Sequence, residues 1–156
     1  MNNDVAQDTK DFMQQAFECA RLAGPAGEVP VGAVLVDGVS GAVLAVDHNQ
    51  VEALGDPTAH AEMQVIRAAS VLRGSPRLED CDLYVTLEPC PMCAAAISLA
   101  RIRRLVFGAY DPKGGGVEHG ARVFEQATCH HKPEIIGGVN ETEAGALLKA
   151  FFQVRR

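Results

Sequence analysis

The chain has 156 residues, 47% of them apolar, which suits one domain with a real core and excludes disorder beyond the ends. Apolar runs such as Val29 to Val36 are far too short to span a bilayer, and residues 1–10 are polar and acidic, so a soluble, cytoplasmic protein with no membrane partner is expected. The net charge of −6 argues against a general nucleic-acid binder, but residues 1–97 carry 5 Lys and Arg against 14 Asp and Glu while residues 98–156 carry 9 against 6, so a polyanion surface is confined to the second part.

The whole of 1–156 reads as a single domain, with residues 1–9 expected as a flexible tail. Phe12, Met13, Ala16, Phe17 and Ala20 recur at helical spacing and predict a helix over 10–23, ended by Gly24-Pro25. Segments 30–36 and 42–47, rich in Val and Leu, predict a hairpin around Asp37-Gly38-Val39-Ser40-Gly41. Asp56-Pro57-Thr58 reads as the cap of a helix running to about Arg73 and stopped by Gly74-Ser75-Pro76. A strand over Leu83–Leu87, a helix over 91–100 and a strand over 103–109 follow. Lys113-Gly114-Gly115-Gly116 lacks the Lys-Ser/Thr ending of a phosphate-binding loop and reads as a mobile loop. A short strand near Ile135-Ile136 precedes a capping-box-like Asn140-Glu141-Thr142-Glu143 and a last helix bearing Ala144, Leu147, Leu148 and Phe151.

Strands alternating with helices predict an α/β fold of three layers, α/β/α, with helices on both faces of one mixed sheet. The helix at Ala94–Ala100 is apolar all round, which means complete burial or an interface between two copies; the interface is the preferred reading.

Two short segments carry chemistry: His60-Ala61-Glu62 and Pro89-Cys90-Pro91-Met92-Cys93. His60, Cys90 and Cys93 are three good zinc ligands, and three protein ligands with the fourth position left to water is the catalytic pattern, four the structural one. Cys90 and Cys93 stand three apart at a helix start, which brings the sulfurs together and favours thiolates. Pro91 suits the first turn. Glu62 then remains as a carboxylate for proton transfer and not for the metal. A structural alternative uses Cys129-His130-His131 to complete a closed site, whereas Cys19 and Cys81 read as small core residues. An odd cysteine number, 5, indicates a reducing compartment.

H-x-E followed by P-C-x-x-C is the signature by which the zinc nucleobase deaminases are recognised. From about Glu28 to Arg156 the chain resembles the bacterial tRNA-specific adenosine deaminases of the cytidine-deaminase-like superfamily. The pieces that carry the likeness are Glu28-Val29-Pro30-Val31-Gly32-Ala33-Val34, Asp56 to Glu62, Leu83 to Cys93, Arg104 to Ala109 and Phe151-Phe152-Gln153-Val154-Arg155-Arg156. The resemblance implies a central five-stranded mixed sheet, a homodimer, one Zn2+ per subunit and conversion of the wobble adenosine of a tRNA anticodon stem-loop to inosine. It also implies that His60, Cys90 and Cys93 bind the metal, that Glu62 shuttles protons, and that Asn49 contacts the purine. Further expected substrate contacts are Val29, Ala61, Asp111, Lys113, Phe152, Arg155 and Arg156; because a terminal amphipathic helix needs an apolar face, Phe151 is expected inside and Phe152 nearer the RNA. The loop Gln50 to Gly55 departs from the family in carrying an acid and no base. The alternatives are a free-purine deaminase of the guanine type, which shares the fold, and a structural zinc module without catalysis.

Overall fold

The computed structural model describes residues 2–155, with side chains from residue 6 onward. Five helices and five strands form its regular part: α1 (Asn2–Ala23), β1 (Gly32–Asp37), β2 (Val43–His48), α2 (Val51–Leu54), α3 (Ala61–Arg73), β3 (Cys81–Leu87), α4 (Pro91–Leu99), β4 (Arg104–Ala109), β5 (Glu134–Ile136) and α5 (Glu141–Val154). The sheet order is β2-β1-β3-β4-β5. β1 pairs antiparallel with both β2 and β3, while β3–β4 and β4–β5 are parallel, so the sheet is mixed and five-stranded as expected.

Alternation along the central strands separates two apolar cores. Ala33 and Leu35 of β1, Leu83 and Val85 of β3, and Leu105 and Phe107 of β4 face α3 and α4, where Val65, Ala69, Ala94 and Ile97 meet them. Val34, Val36, Tyr84 and Val106 face α1 and α5, where Met13, Ala16, Phe17 and Ala144 meet them. Strands buried on both faces need apolar residues at nearly every position, and β1 and β3 have them. No helix of the described residues is long and apolar enough to cross a membrane.

Several local expectations are corrected. α1 continues back to Asn2, so the segment expected as a tail over 1–9 is helical from Asn2. α3 is capped at His60 with no side-chain capping bond, and Asp56 instead closes a tight turn by accepting from the Thr58 N–H (2.8 Å) and hydroxyl (2.7 Å). Asn140 does precede α5, but in the left-handed conformation and without a side-chain cap, so no capping box forms. Residues 50–55, expected as a loop, instead hold the four-residue helix α2, a single turn shorter than any apolar period a sequence can show.

The register places the working end of the molecule. Gly32 of β1 opposes His48 of β2, Ala33 opposes Val85, and Leu87 of β3 opposes Ala109 of β4. The start of β1 and the ends of β2, β3 and β4 therefore lie side by side, and α1 sits directly on the backbone there. A Cβ at Gly32 would run into the Ala16 carbonyl oxygen and lie 2.7 Å from the Ala20 nitrogen. Gly32→Ala is accordingly expected to lower unfolding free energy by about 1–3 kcal/mol, the usual cost of overpacking, measured as a reduced urea midpoint at unchanged slope.

Candidate zinc centre and substrate cleft

Both metal motifs begin helices at that end of the sheet. His60 is the N-cap of α3 and Cys90 the N-cap of α4, each in extended backbone, with Pro91 and Cys93 in the following turn. Their donor atoms converge: His60 Nδ1 lies 3.6 Å from Cys90 Sγ and 3.5 Å from Cys93 Sγ. Among the described residues, His60, Cys90 and Cys93 form a set whose ligand atoms all lie within 4.8 Å of one another, and Glu62 is not in it. One imidazole and two sulfurs are a donor set that suits zinc and leaves its tetrahedron open. The neighbouring Cys93 sulfur and the adjoining His60 imidazole hold Cys90 down to about 4. The same closeness to Cys90, together with burial, pushes Cys93 up, and the contact with Cys90 raises His60.

The closed structural alternative does not assemble. His131 Nε2 is bound to the Ile102 carbonyl at 2.6 Å, and Cys129 Sγ lies 3.4 Å from Ser98 Oγ and 3.2 Å from the His131 carbonyl. Cys81 is a buried member of the core, as expected, and Cys19 is half-buried.

Glu62, in the first turn of α3, is 4% exposed. Burial pushes its carboxyl above the usual range, a shift suited to a group that must give as well as take a proton. It shares a cleft of about 430 Å3 with His60 and Cys90, and Val29, Asn49 and Asp111 also line it. That volume is in the range of small-molecule sites.

Asn49 ties this wall together. Its Oδ1 accepts the Ala61 N–H at 2.8 Å, satisfying an amide at the start of α3 that has no partner within the helix, and its Nδ2 donates to the Val29 carbonyl at 3.2 Å. Three residues assigned to substrate by resemblance, Asn49, Val29 and Ala61, are thus one hydrogen-bonded unit. Ala61 is fully buried within it.

The remaining expected contacts lie elsewhere. Lys113 is exposed, and Phe151 is buried while Phe152 is 49% exposed, the division expected from the sequence. The Arg155 guanidinium stacks 3.5 Å from the Phe151 ring centroid and donates to the Gly24 carbonyl at 3.1 Å, so it latches α5 to the turn after α1. Arg156 lies outside the described residues.

Two carboxylates to which the sequence assigned no role in the site shape the cleft. Glu28, 1% exposed, accepts the N–H groups of Glu52 and Ala53, both at 2.9 Å, and so holds α2 in place. The Glu88 side chain is fully buried and gathers the segment from Asp111 to His119. Burial pushes its carboxyl up, but the Asp111 N–H, the His119 ring and the Glu118 and Val117 N–H groups together hold it below the ordinary range. The available signal was a Glu set between an apolar strand and the cysteine motif, where an unpaired charge would be very costly. The Gly run is corrected by the same contacts: Gly115 and Gly116 are buried, so this is a packed segment and not a mobile loop.

The sequence family described as cytidine and deoxycytidylate deaminase zinc-binding region matches residues 6–109. The chain belongs to this zinc deaminase family. Among curated relatives, the deaminase is 55% identical over 145 residues to the tRNA-specific adenosine deaminase of Agrobacterium fabrum, covering 93% of this chain and 94% of the relative. A solved structure from a study of A-to-I editing by tRNA:A34 deaminases at the wobble position of transfer RNA superposes with a TM-score of 0.86 at 55% identity, covering 89% of this chain and 99% of that one. These likenesses put the deaminase in the tRNA-specific adenosine branch. A guanine deaminase from Bacillus subtilis superposes with a TM-score of 0.61 at 41% identity, covering 65% of this chain and 64% of that one. The deaminase uses zinc, and the donors of the His60, Cys90 and Cys93 cluster fit it.

Metal analysis of the purified deaminase should return about one zinc per chain. Cys93→Ala should lose that zinc and much stability, because metal binding and folding are coupled, whereas Cys129→Ala should keep it.

Proposed function

We propose that the chain hydrolytically deaminates adenosine to inosine at the wobble position of a tRNA anticodon, with Glu62 as proton shuttle and zinc on His60, Cys90 and Cys93. The observation that carries the reading is the buried Glu62 carboxyl in the same cleft as a three-donor cluster that leaves a ligand position free. The high identity to tRNA-specific adenosine deaminases supports the choice of substrate.

His60, Cys90 and Cys93 would hold zinc, which would supply an activated water with its pKa lowered to about 7. Glu62 takes the proton that this water gives up and delivers it to the purine ring nitrogen beside the amino-bearing carbon. Once the water oxygen has added to that carbon, Glu62 carries the remaining proton of this oxygen to the amine and the carbon–nitrogen bond breaks, so adenosine and water become inosine and ammonia. Asn49 commits one amide hydrogen to Val29 and one lone pair to Ala61, which leaves one donor and one acceptor for the edge of the base. Val29 and Asp111 complete the purine-facing wall, with the Ala61 amide supporting it through Asn49. The base must leave its stack to enter the cleft, which costs little in an anticodon loop.

Lys113 and Arg156 meet phosphates and Phe152 offers a stacking face, while Arg155 spends part of its guanidinium on α5 and turns its remaining donors to the RNA. The functional unit is a homodimer joined through α4, whose Leu99 is 79% exposed although its neighbours Ile97 and Ala100 are buried. A tRNA substrate sets the enzyme in the cytoplasm.

Zinc-loaded protein given an anticodon stem-loop with adenosine at the wobble position should release ammonia and yield inosine, and should leave free guanine, cytidine and adenosine unchanged. Turnover of free guanine without turnover of the stem-loop overturns the reading. Glu62→Gln should retain zinc and fold while losing at least ~100-fold in rate, the scale of a general acid-base group.

A further inference from the structure

We infer that Glu88 is a positioning residue for the substrate, whose buried carboxylate fixes the Asp111–His119 segment as one wall of the cleft. The inference rests on the substrate reading above and adds to it the part that sets substrate fit. Five hydrogen bonds converge on this one side chain. Oε1 accepts the Asp111 N–H at 3.0 Å and meets His119 Nδ1 at 2.8 Å; Oε2 accepts the N–H groups of Val117 at 3.2 Å, Glu118 at 3.0 Å and His119 at 3.2 Å. Donors from both ends of the segment therefore meet at the residue that follows β3 and stands two before the ligand Cys90.

Close packing leaves the segment no other path. A Cβ at Gly115 would overlap Glu88 Oε2, and one at Gly116 would stand 2.5 Å from the Pro91 nitrogen. The Gly116 N–H also donates to the Pro89 carbonyl at 2.8 Å. From this fixed base the support runs outward to the cleft. Asp111 Oδ1 accepts the N–H groups of Lys113 at 3.2 Å and Gly114 at 2.9 Å, and Asp111 and Gly114 line the cleft beside Glu62. The wall and the zinc-ligand turn are thereby referenced to the same carboxylate, which borders the cleft but has no exposed side-chain surface and spends both oxygens on these donors.

The test uses Glu88→Gln, which keeps the shape but turns one oxygen into an NH2 that faces donors, so one arm of the clamp must open. Gly115→Ala presses on the same carboxylate from the loop side and carries the test if Glu88→Gln does not fold. Leu78→Ala, a fully buried core change before β3 and so at the far end of that strand, serves as the stability-matched control. Hydrogen exchange on zinc-loaded protein without RNA should quicken in 111–119 and not in 60–66 or 90–97. KM for the stem-loop should rise about tenfold, the loss of a charge-assisted hydrogen bond, with kcat changed by less than about threefold and zinc content intact. The Leu78→Ala control should leave KM alone. Unchanged exchange in 111–119, an unchanged KM, or a fall in kcat at constant KM would each overturn the inference. Should wild-type protein act only on free guanine, the substrate reading fails by itself, and the same exchange and KM comparison made with guanine still decides the role of Glu88.

Discussion

Strand register is the constraint on which the site depends. Because β1 runs antiparallel to β2 and β3 while β4 runs parallel to β3, the start of β1 and the ends of β2, β3 and β4 come to one end of the sheet. Val29, Asn49, Glu88 to Cys90, and Asp111 are the residues just beyond those strand ends, so backbone pairing alone assembles most of the cleft. The two helices that begin there, α3 and α4, bury Val65, Ala69, Ala94 and Ile97 against the same sheet face. Their packing fixes the distance between two helix N-termini, and those termini carry His60 and Cys90. Ligand sites beyond the carboxyl ends of strands follow the same logic in open α/β sheets generally.

Polar side chains then complete what apolar packing cannot. The strand ends and helix starts expose backbone N–H groups to a largely buried space, and each needs an acceptor. Asn49 serves Ala61, Glu28 serves α2, and Glu88 serves the segment after β4. Glu62 stands apart. Its carboxyl is equally buried but lifted by burial, whereas Glu88 is held down by the donors around it. Two carboxylates in one cleft are thus shifted in opposite directions, one by burial and one by the donors around it.

Much of this was legible in the sequence because it is local. Short apolar runs gave β1 and β3, helical spacing gave α1 and α5, and the H-x-E and P-C-x-x-C motifs placed the zinc donors, since each ligand sits at a helix start marked by nearby Pro. What escaped depends on contacts between distant residues. Glu88 meets partners 23 to 31 residues away and Glu28 partners 24 and 25 away, and no periodicity records such pairs. The Gly run was misread for the same reason: its glycines answer to the bulk of Glu88 and Pro91, not to local freedom. Arg155 gave a basic residue but not its partner, the Gly24 carbonyl 131 residues away.

Zinc held by three protein donors and no fourth makes a site for chemistry. X-ray absorption at the zinc edge of the purified protein tests this directly. Two sulfurs at about 2.3 Å, one imidazole nitrogen at about 2.0–2.1 Å and one exchangeable oxygen donor from solvent are expected. A third sulfur or a second imidazole in the zinc shell would mean a closed structural site and would contradict it.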